Sequence, residues 1–118
     1  MSDLCEVVIT APDPEWLIEL TRRLVDDGLC SNGHNYTPIR SVYRWHGKTH
    51  DRTEGRVSLH TRKSLLPEII RRVRAEHPYE VPSISTRPIE DGDSEYLDWI
   101  RQSTHDAEHR QHTEPDPR

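Results

Sequence analysis

Apolar residues recur along the chain with two alternating periods, and the switches between them predict seven elements. Leu4 to Thr10 (LCEVVIT) is a short β-branched run, too brief for a stable helix, and predicts a strand with Cys5, Val7 and Ile9 on one face. Ala11-Pro12-Asp13-Pro14 stops it, with Asp13 a good N-cap and Pro14 suited to the first helical position. Trp16, Leu17, Leu20 and Leu24 share one stripe at helical spacing, predicting a helix over about 14–27 that ends at Gly28. Cys30 to Asn35 (CSNGHN) is polar and ambiguous. From Tyr36 to Trp45 the pattern alternates, with Ile39, Ser41, Tyr43 and Trp45 on one face and Arg40, Val42 and Arg44 on the other. Pro38, near its start, requires an edge, a bend or a bulge. His46-Gly47-Lys48 is a turn, and Arg52 to Arg62 returns as a second extended run, completing an antiparallel hairpin. Val57, Leu59 and Thr61 share one of its faces, Ser58 and His60 the other.

A second helix is expected from a Ser64 cap, with Pro67 in its first turn and Leu65, Leu66, Ile69, Ile70 and Val73 as its apolar stripe. Arg71, Arg72 and Arg74 form its solvated face, and Pro78 ends it at His77. Val81 to Ile89, carrying Pro82 and Pro88, suits an edge strand. Asp93 or Ser94 then caps a short helix bearing Tyr96, Leu97, Trp99 and Ile100. From about Ser103 the periodicity is lost, so residues 1–103 are expected to fold and 104–118 to be a disordered polar tail.

The order β-α-β-β-α-β plus a terminal helix is the split βαβ, or ferredoxin-like, α+β arrangement. It puts both crossover helices on one sheet face and leaves the other bare unless another subunit covers it. Ile39, Tyr43 and Trp45, on one side of a long hairpin, point to pairing between subunits. The fold alone does not give function. An RNA-binding version needs exposed aromatics where the third strand here reads GRVSLHTRK, and an acylphosphatase-like version needs an anion cradle where the first loop reads APDP.

Composition bears on stability and partners. Apolar and charged residues each make up 31% of 118 residues, and mean hydropathy is −0.93. So little apolar surface for one domain leads us to expect oligomerisation as a stabilising factor. A net charge of −5 argues against nucleic acid as the main partner. With no signal-peptide pattern, no apolar run of about 18 residues and two cysteines outside any CxxC, the chain reads as soluble and cytoplasmic with reduced thiols and no membrane association. Of the eight histidines, His105, His109 and His112 in the tail offer only a weak chelating set.

The stiffest stretch is HPYEVP, His77 to Pro82. Its two prolines make a corner between the second helix and the edge strand, holding Tyr79 and Glu80 between them. Together with SVYRWHGK (Ser41 to Lys48) and EDGDSEYLDWI (Glu90 to Ile100), and with the spacing between them, this stretch resembles the CutA family of divalent-cation-tolerance proteins. The similarity covers about residues 4–103. The resemblance implies an architecture related to the PII signalling proteins and tight homotrimers in which the long hairpins complete neighbouring sheets. It also implies binding of copper or other divalent cations, and no accepted catalytic activity. The chain departs from the pattern at two positions. The family's second-strand cysteine falls on Asn32, with Cys30 two residues earlier, and its third-strand lysine falls on His60. A thiol and an ammonium are replaced, while His34 and His60 bring imidazoles that suit Cu(II), Zn and Ni.

The candidate metal ligands are therefore His34, His60 and Glu80. Arg40, Arg44 and Tyr79 are candidates for lining an inter-subunit cleft, and Ile39, Tyr43 and Trp45 for the trimer interface. The expected function is that of a trimeric cytoplasmic protein binding a divalent metal (Cu or Zn), with itself and divalent cations as partners. The alternative is a PII-like regulatory module that takes a small anionic ligand or a partner protein at the cleft. An enzyme is not expected, because a general base needs a positioned partner and nothing in the pattern brings Glu80 to His60 or Tyr79.

Overall fold

The computed structural model describes residues 2–105. Its elements follow the expected order: β1 (Leu4–Ala11), α1 (Pro14–Asp26), β2 (Asn32–Trp45), β3 (Lys48–Arg62), α2 (Leu66–Glu76), β4 (Ile84–Pro88) and α3 (Ser94–Ser103). The strands form one antiparallel sheet in the order β2-β3-β1-β4, so the edges are β2 and β4. Period two puts Val7 and Ile9 of β1 beside Val57 and Leu59 of β3, and these pack against Leu17, Leu20 and Leu24 of α1 and Ile69 and Val73 of α2. All nine are fully buried. Asp13 caps α1, its carboxylate accepting from the Glu15 N–H at 3.0 Å, and Gly28 leaves the helix at φ 72°.

Four boundaries differ from expectation. β2 begins at Asn32, not Tyr36, because backbone pairing of Asn32 with His60 and Gly33 with Leu59 builds the strand despite its polar side chains. From Ile39↔Glu54 the hairpin arms stay in register to Trp45↔Lys48, joined by His46 and Gly47 at φ 50° and 78°, the tight-turn geometry that matches strand twist. Ser64 does not cap the second helix. It lies in a 3₁₀ turn, Lys63–Leu65, that leads directly out of β3. β4 is shorter than 81–89, because the chain around Pro82 still belongs to the corner. Pro38 behaves as its chemistry requires: it lies on an edge strand, at a register shift between Tyr36 and Ile39, after a cis peptide.

The sheet face opposite α1 and α2 is not wholly bare, since α3 packs on β1 and β3 there. Arg101 makes paired hydrogen bonds to Asp3 (Nε to Oδ2 and Nη2 to Oδ1, both 2.9 Å), and Arg62 donates to Thr104 Oγ1 at 2.9 Å and to the Arg101 carbonyl. Thr104, expected in the tail, is buried, and the His105 N–H donates to the Gly28 carbonyl. The rest of the expected tail, including His109 and His112, lies outside the described residues. Hydrogen bonding from Arg101 holds the Asp3 carboxyl below its ordinary range. A depressed carboxylate stabilises the fold above its unfolded pKa of about 3.9 and ceases to as pH falls through the lower folded value. The stability difference between the wild type and Asp3→Asn should therefore stay constant above about pH 5 and close toward about pH 2. Urea titrations across that range measure it, and a difference independent of pH would refute the assignment.

Candidate functional site

On the face that carries α3, strand register assembles a polar cluster. Glu6 of β1 and Asn32 of β2 both pair with His60 of β3, and one row along, His34 pairs with Ser58. The His34 and His60 rings meet edge to face, 6.0 Å between centroids. Ser58 Oγ donates to Glu6 Oε2 at 2.7 Å, His60 Nε2 lies 3.7 Å from the same oxygen, and Arg87 approaches Glu6 Oε1 at 3.4 Å. From α3, Tyr96 places its hydroxyl oxygen 2.6 Å from His60 Nδ1 and 3.3 Å from Asn32 Oδ1. The Ser58 hydrogen bond leads in holding the Glu6 carboxyl below its usual range. Burial pushes the His60 imidazole below its ordinary value, against the opposing pull of Glu6. That shift favours the neutral imidazole, the form that binds metals. Among the described residues, no three His, Cys, Asp or Glu side chains stand arranged to hold a metal ion as they are.

A second site lies at the corner. His77 Nε2 donates to the Thr10 carbonyl at 2.8 Å, and Nδ1 accepts from the Tyr79 N–H at 3.0 Å. A carbonyl only accepts and an N–H only donates, so the tautomer is set. The ring also packs edge-on against Trp16, centroids 5.4 Å apart. Held this way, the corner points the Tyr79 hydroxyl at Glu54 Oε2, 2.6 Å away, although Glu54 is only 1% exposed. Burial and then the bond to Glu54 raise the Tyr79 pKa, so the phenol stays a donor. Tyr43, 6.4 Å from the Tyr79 ring, stacks on His50 at 5.2 Å. Together with Arg44, Trp45, Arg52 and Glu80, these groups border a cleft of about 570 Å³.

The structure thus brings His34 and His60 together but places Glu80 in the corner cleft beside Tyr79 and Arg44. The carboxylate next to His60 is Glu6, the one charged residue inside an apolar strand, and that isolation was the available signal. Arg40 does not border the cleft. It pairs with Asp51 on the exposed outer hairpin, Nη2 to Oδ2 at 3.0 Å. Ile39 and Tyr43 are half-buried, whereas Trp45 is 38% and Val42 64% exposed. Cys30 does not stand in for the family cysteine at Asn32. It is fully buried in the core, where desolvation pushes its thiol up to about 12.

Fold and site together define a ferredoxin-like α+β protein with an imidazole–carboxylate cluster on the outer sheet face and an aromatic cleft at the helix–strand corner. Residues 5–103 match the family model of the CutA1 divalent ion tolerance protein. The chain is 36% identical over 98 residues to the divalent-cation tolerance protein CutA of Thermus thermophilus, covering 83% of this chain and 95% of that one. It is 34% identical over 96 residues to protein CutA of Homo sapiens, covering 81% of this chain and 54% of that one, so it spans about half the length of the human relative. Among solved structures, CutA1 from Thermus thermophilus superposes with a TM-score of 0.83 at 34% identity, covering 86% of this chain and 99% of that one. CutA1 from Oryza sativa superposes with a TM-score of 0.83 at 32% identity, covering 86% and 94%. The chain belongs to the CutA1 divalent ion tolerance family.

Proposed function

We propose that this chain is a cytoplasmic homotrimer that binds divalent cations, Cu(II) or Zn(II), through His34 and His60, and that it is a binding protein, not an enzyme. The observation that carries the reading is the meeting of the two imidazoles on adjacent strands, with the Glu6 carboxylate 3.7 Å from His60. Nitrogen and carboxylate donors suit these ions, and the matched relatives are named for divalent-cation tolerance. Glu6 here takes the place first expected for Glu80. Calorimetry with each ion on the wild type and on His34→Ala/His60→Ala tests it. Affinity should fall by more than about tenfold, and identical binding by the double variant would remove these histidines from the site.

The trimer is supported by the unpaired sheet edges β2 and β4 and by the exposed Tyr36, Val42, Trp45 and Val81 along the hairpin and corner. Sedimentation should give three copies per particle, and a stable monomer would overturn this part. The free thiols Cys5 and Cys30 suit a reducing compartment. The corner cleft, with Arg44 and Tyr79 on its border, favours a second reading: a PII-like module taking a small anionic ligand or a partner protein. A thermal-shift screen with nucleotides and metabolites separates the two. A response to metal alone would leave only the first.

A further inference from the structure

The hydrogen-bond chain that α3 lays on the outer sheet face has two ways to place its protons. The Tyr96 hydroxyl oxygen lies 2.6 Å from His60 Nδ1 and 3.3 Å from Asn32 Oδ1. Between an oxygen and a ring nitrogen 2.6 Å apart sits a single proton, supplied by one side or the other. If Tyr96 donates, the imidazole carries its own proton on Nε2, which faces Glu6 Oε2 across 3.7 Å. If Nδ1–H donates, the phenolic proton turns to Asn32 Oδ1 and the Nε2 lone pair faces the carboxylate. Without a cation the first arrangement is favoured, because an N–H attracts a carboxylate and a lone pair repels it. With a cation between Nε2 and Glu6 the second is favoured. Metal–nitrogen and metal–oxygen bonds of about 2.0–2.2 Å reach both atoms across a 3.7 Å gap. Glu6 is held for this, since Ser58 donates to Oε2 at 2.7 Å and Arg87 approaches Oε1 at 3.4 Å.

We infer that Tyr96 is a positioning residue of the cation site: its hydroxyl donates to His60 Nδ1 in the metal-free protein and turns to Asn32 Oδ1 when a cation binds, accepting the Nδ1 proton and leaving Nε2 to the metal. The inference rests on the reading of His60 and Glu6 as cation ligands. Protons balance in the change. The imidazole gives up its Nε2 proton to solvent and takes one on Nδ1, the phenol keeps its own, and neither side chain changes charge. In both arrangements Nδ1 of the half-buried His60 has a partner. The fold holds Tyr96 in place for the task. Its backbone N–H donates to the Asp93 cap at 3.0 Å, its ring lies against Trp99 with centroids 5.7 Å apart, and the paired bonds from Arg101 to Asp3 tie down the same helix.

The test combines calorimetry with Zn(II) and nitrogen NMR of isotope-labelled histidine rings, on the full chain. In the wild type, His60 should carry its proton on Nε2 before Zn(II) is added and on Nδ1 afterwards. Tyr96→Phe removes one oxygen and keeps the ring against Trp99. It should weaken Zn(II) binding about tenfold, the size of a lost outer-shell hydrogen bond, because Nδ1–H then has no acceptor. Asn32→Leu, which removes the acceptor for the turned hydroxyl, should weaken binding about fivefold. A Tyr96 that serves only to pack α3 would alter stability and leave the tautomer change and the affinity untouched. If Zn(II) binds the wild type while His60 stays protonated on Nε2, or binds Tyr96→Phe with unchanged affinity, the positioning role falls and the cation-binding reading stands. If Zn(II) does not bind the wild type, both fall.

Discussion

Leu59→Ala should lower the free energy of unfolding by about 3 kcal/mol, the range for emptying a fully packed leucine site. Leu59 is completely buried on β3, an inner strand of the sheet, facing the helices within the apolar cluster that joins β1, β3, α1 and α2. Few large apolar side chains are available to collapse into the space, because the chain is only 31% apolar. Urea denaturation at fixed protein concentration measures the effect, the concentration being held because assembly adds to apparent stability. A loss below about 1 kcal/mol would mean that the core relaxes around the deletion and is not close-packed at this point.

Gly33→Ala should cost nearly as much, by the opposite mechanism. A Cβ on Gly33 would sit 2.5 Å from Thr21 Cγ2, 2.9 Å from Leu59 Cδ2 and 3.2 Å from Val57 Cγ2. Thr21 cannot simply turn away, since its hydroxyl donates to the Leu17 carbonyl at 2.8 Å and the residue is buried. Forcing a methyl between α1 and the sheet should destabilise by about 2–3 kcal/mol. The combination Gly33→Ala/Leu59→Ala should fall short of the sum by about 1 kcal/mol, because the new methyl enters space that Leu59 has vacated. Adding Thr21→Ser, which removes the clashing methyl and keeps the hydroxyl, should recover more. Strict additivity in the cycle would show that Gly33 is not the point of closest helix approach.

Gly33 also shows why part of the fold was hard to read. CSNGHN carries no apolar alternation, so its strand character was not visible in a pattern of side chains. Its last four residues, from Asn32, form a strand because β3 offers them a backbone ladder and because α1 lies too close for anything but glycine at the second pairing position. Where burial was one-sided and regular, as in LCEVVIT, the leucine stripe of α1 and VSLHT, the expected faces match the structure. The family membership was legible from SVYRWHGK, HPYEVP and EDGDSEYLDWI, and the chain does belong to CutA1.

The candidate site divides in the same way. His34 and His60 fall on one face because period two and the hairpin put them there, and the structure has them 6.0 Å apart. Glu6 joins them only through the β1–β3 register, set by strands distant in sequence. Glu80 was grouped with the histidines because it sits in the most distinctive motif, yet the corner turns it into another cleft. Glu54 lay unnoticed in a polar stretch, since a buried glutamate looks like an exposed one until its partner is known, and that partner, Tyr79, is 25 residues away.

By itself, then, the sequence determined the order and faces of the strands and helices, the breaks at proline and glycine, and the family. These follow from local periodicity and backbone chemistry, which act over a few residues. Only the tertiary structure decided which carboxylate stands beside His60, that Cys30 is core, and that Glu54 is buried beneath an aromatic cleft. Those are outcomes of cross-strand register and helix packing, where a shift of one residue would turn the same side chains to the opposite face.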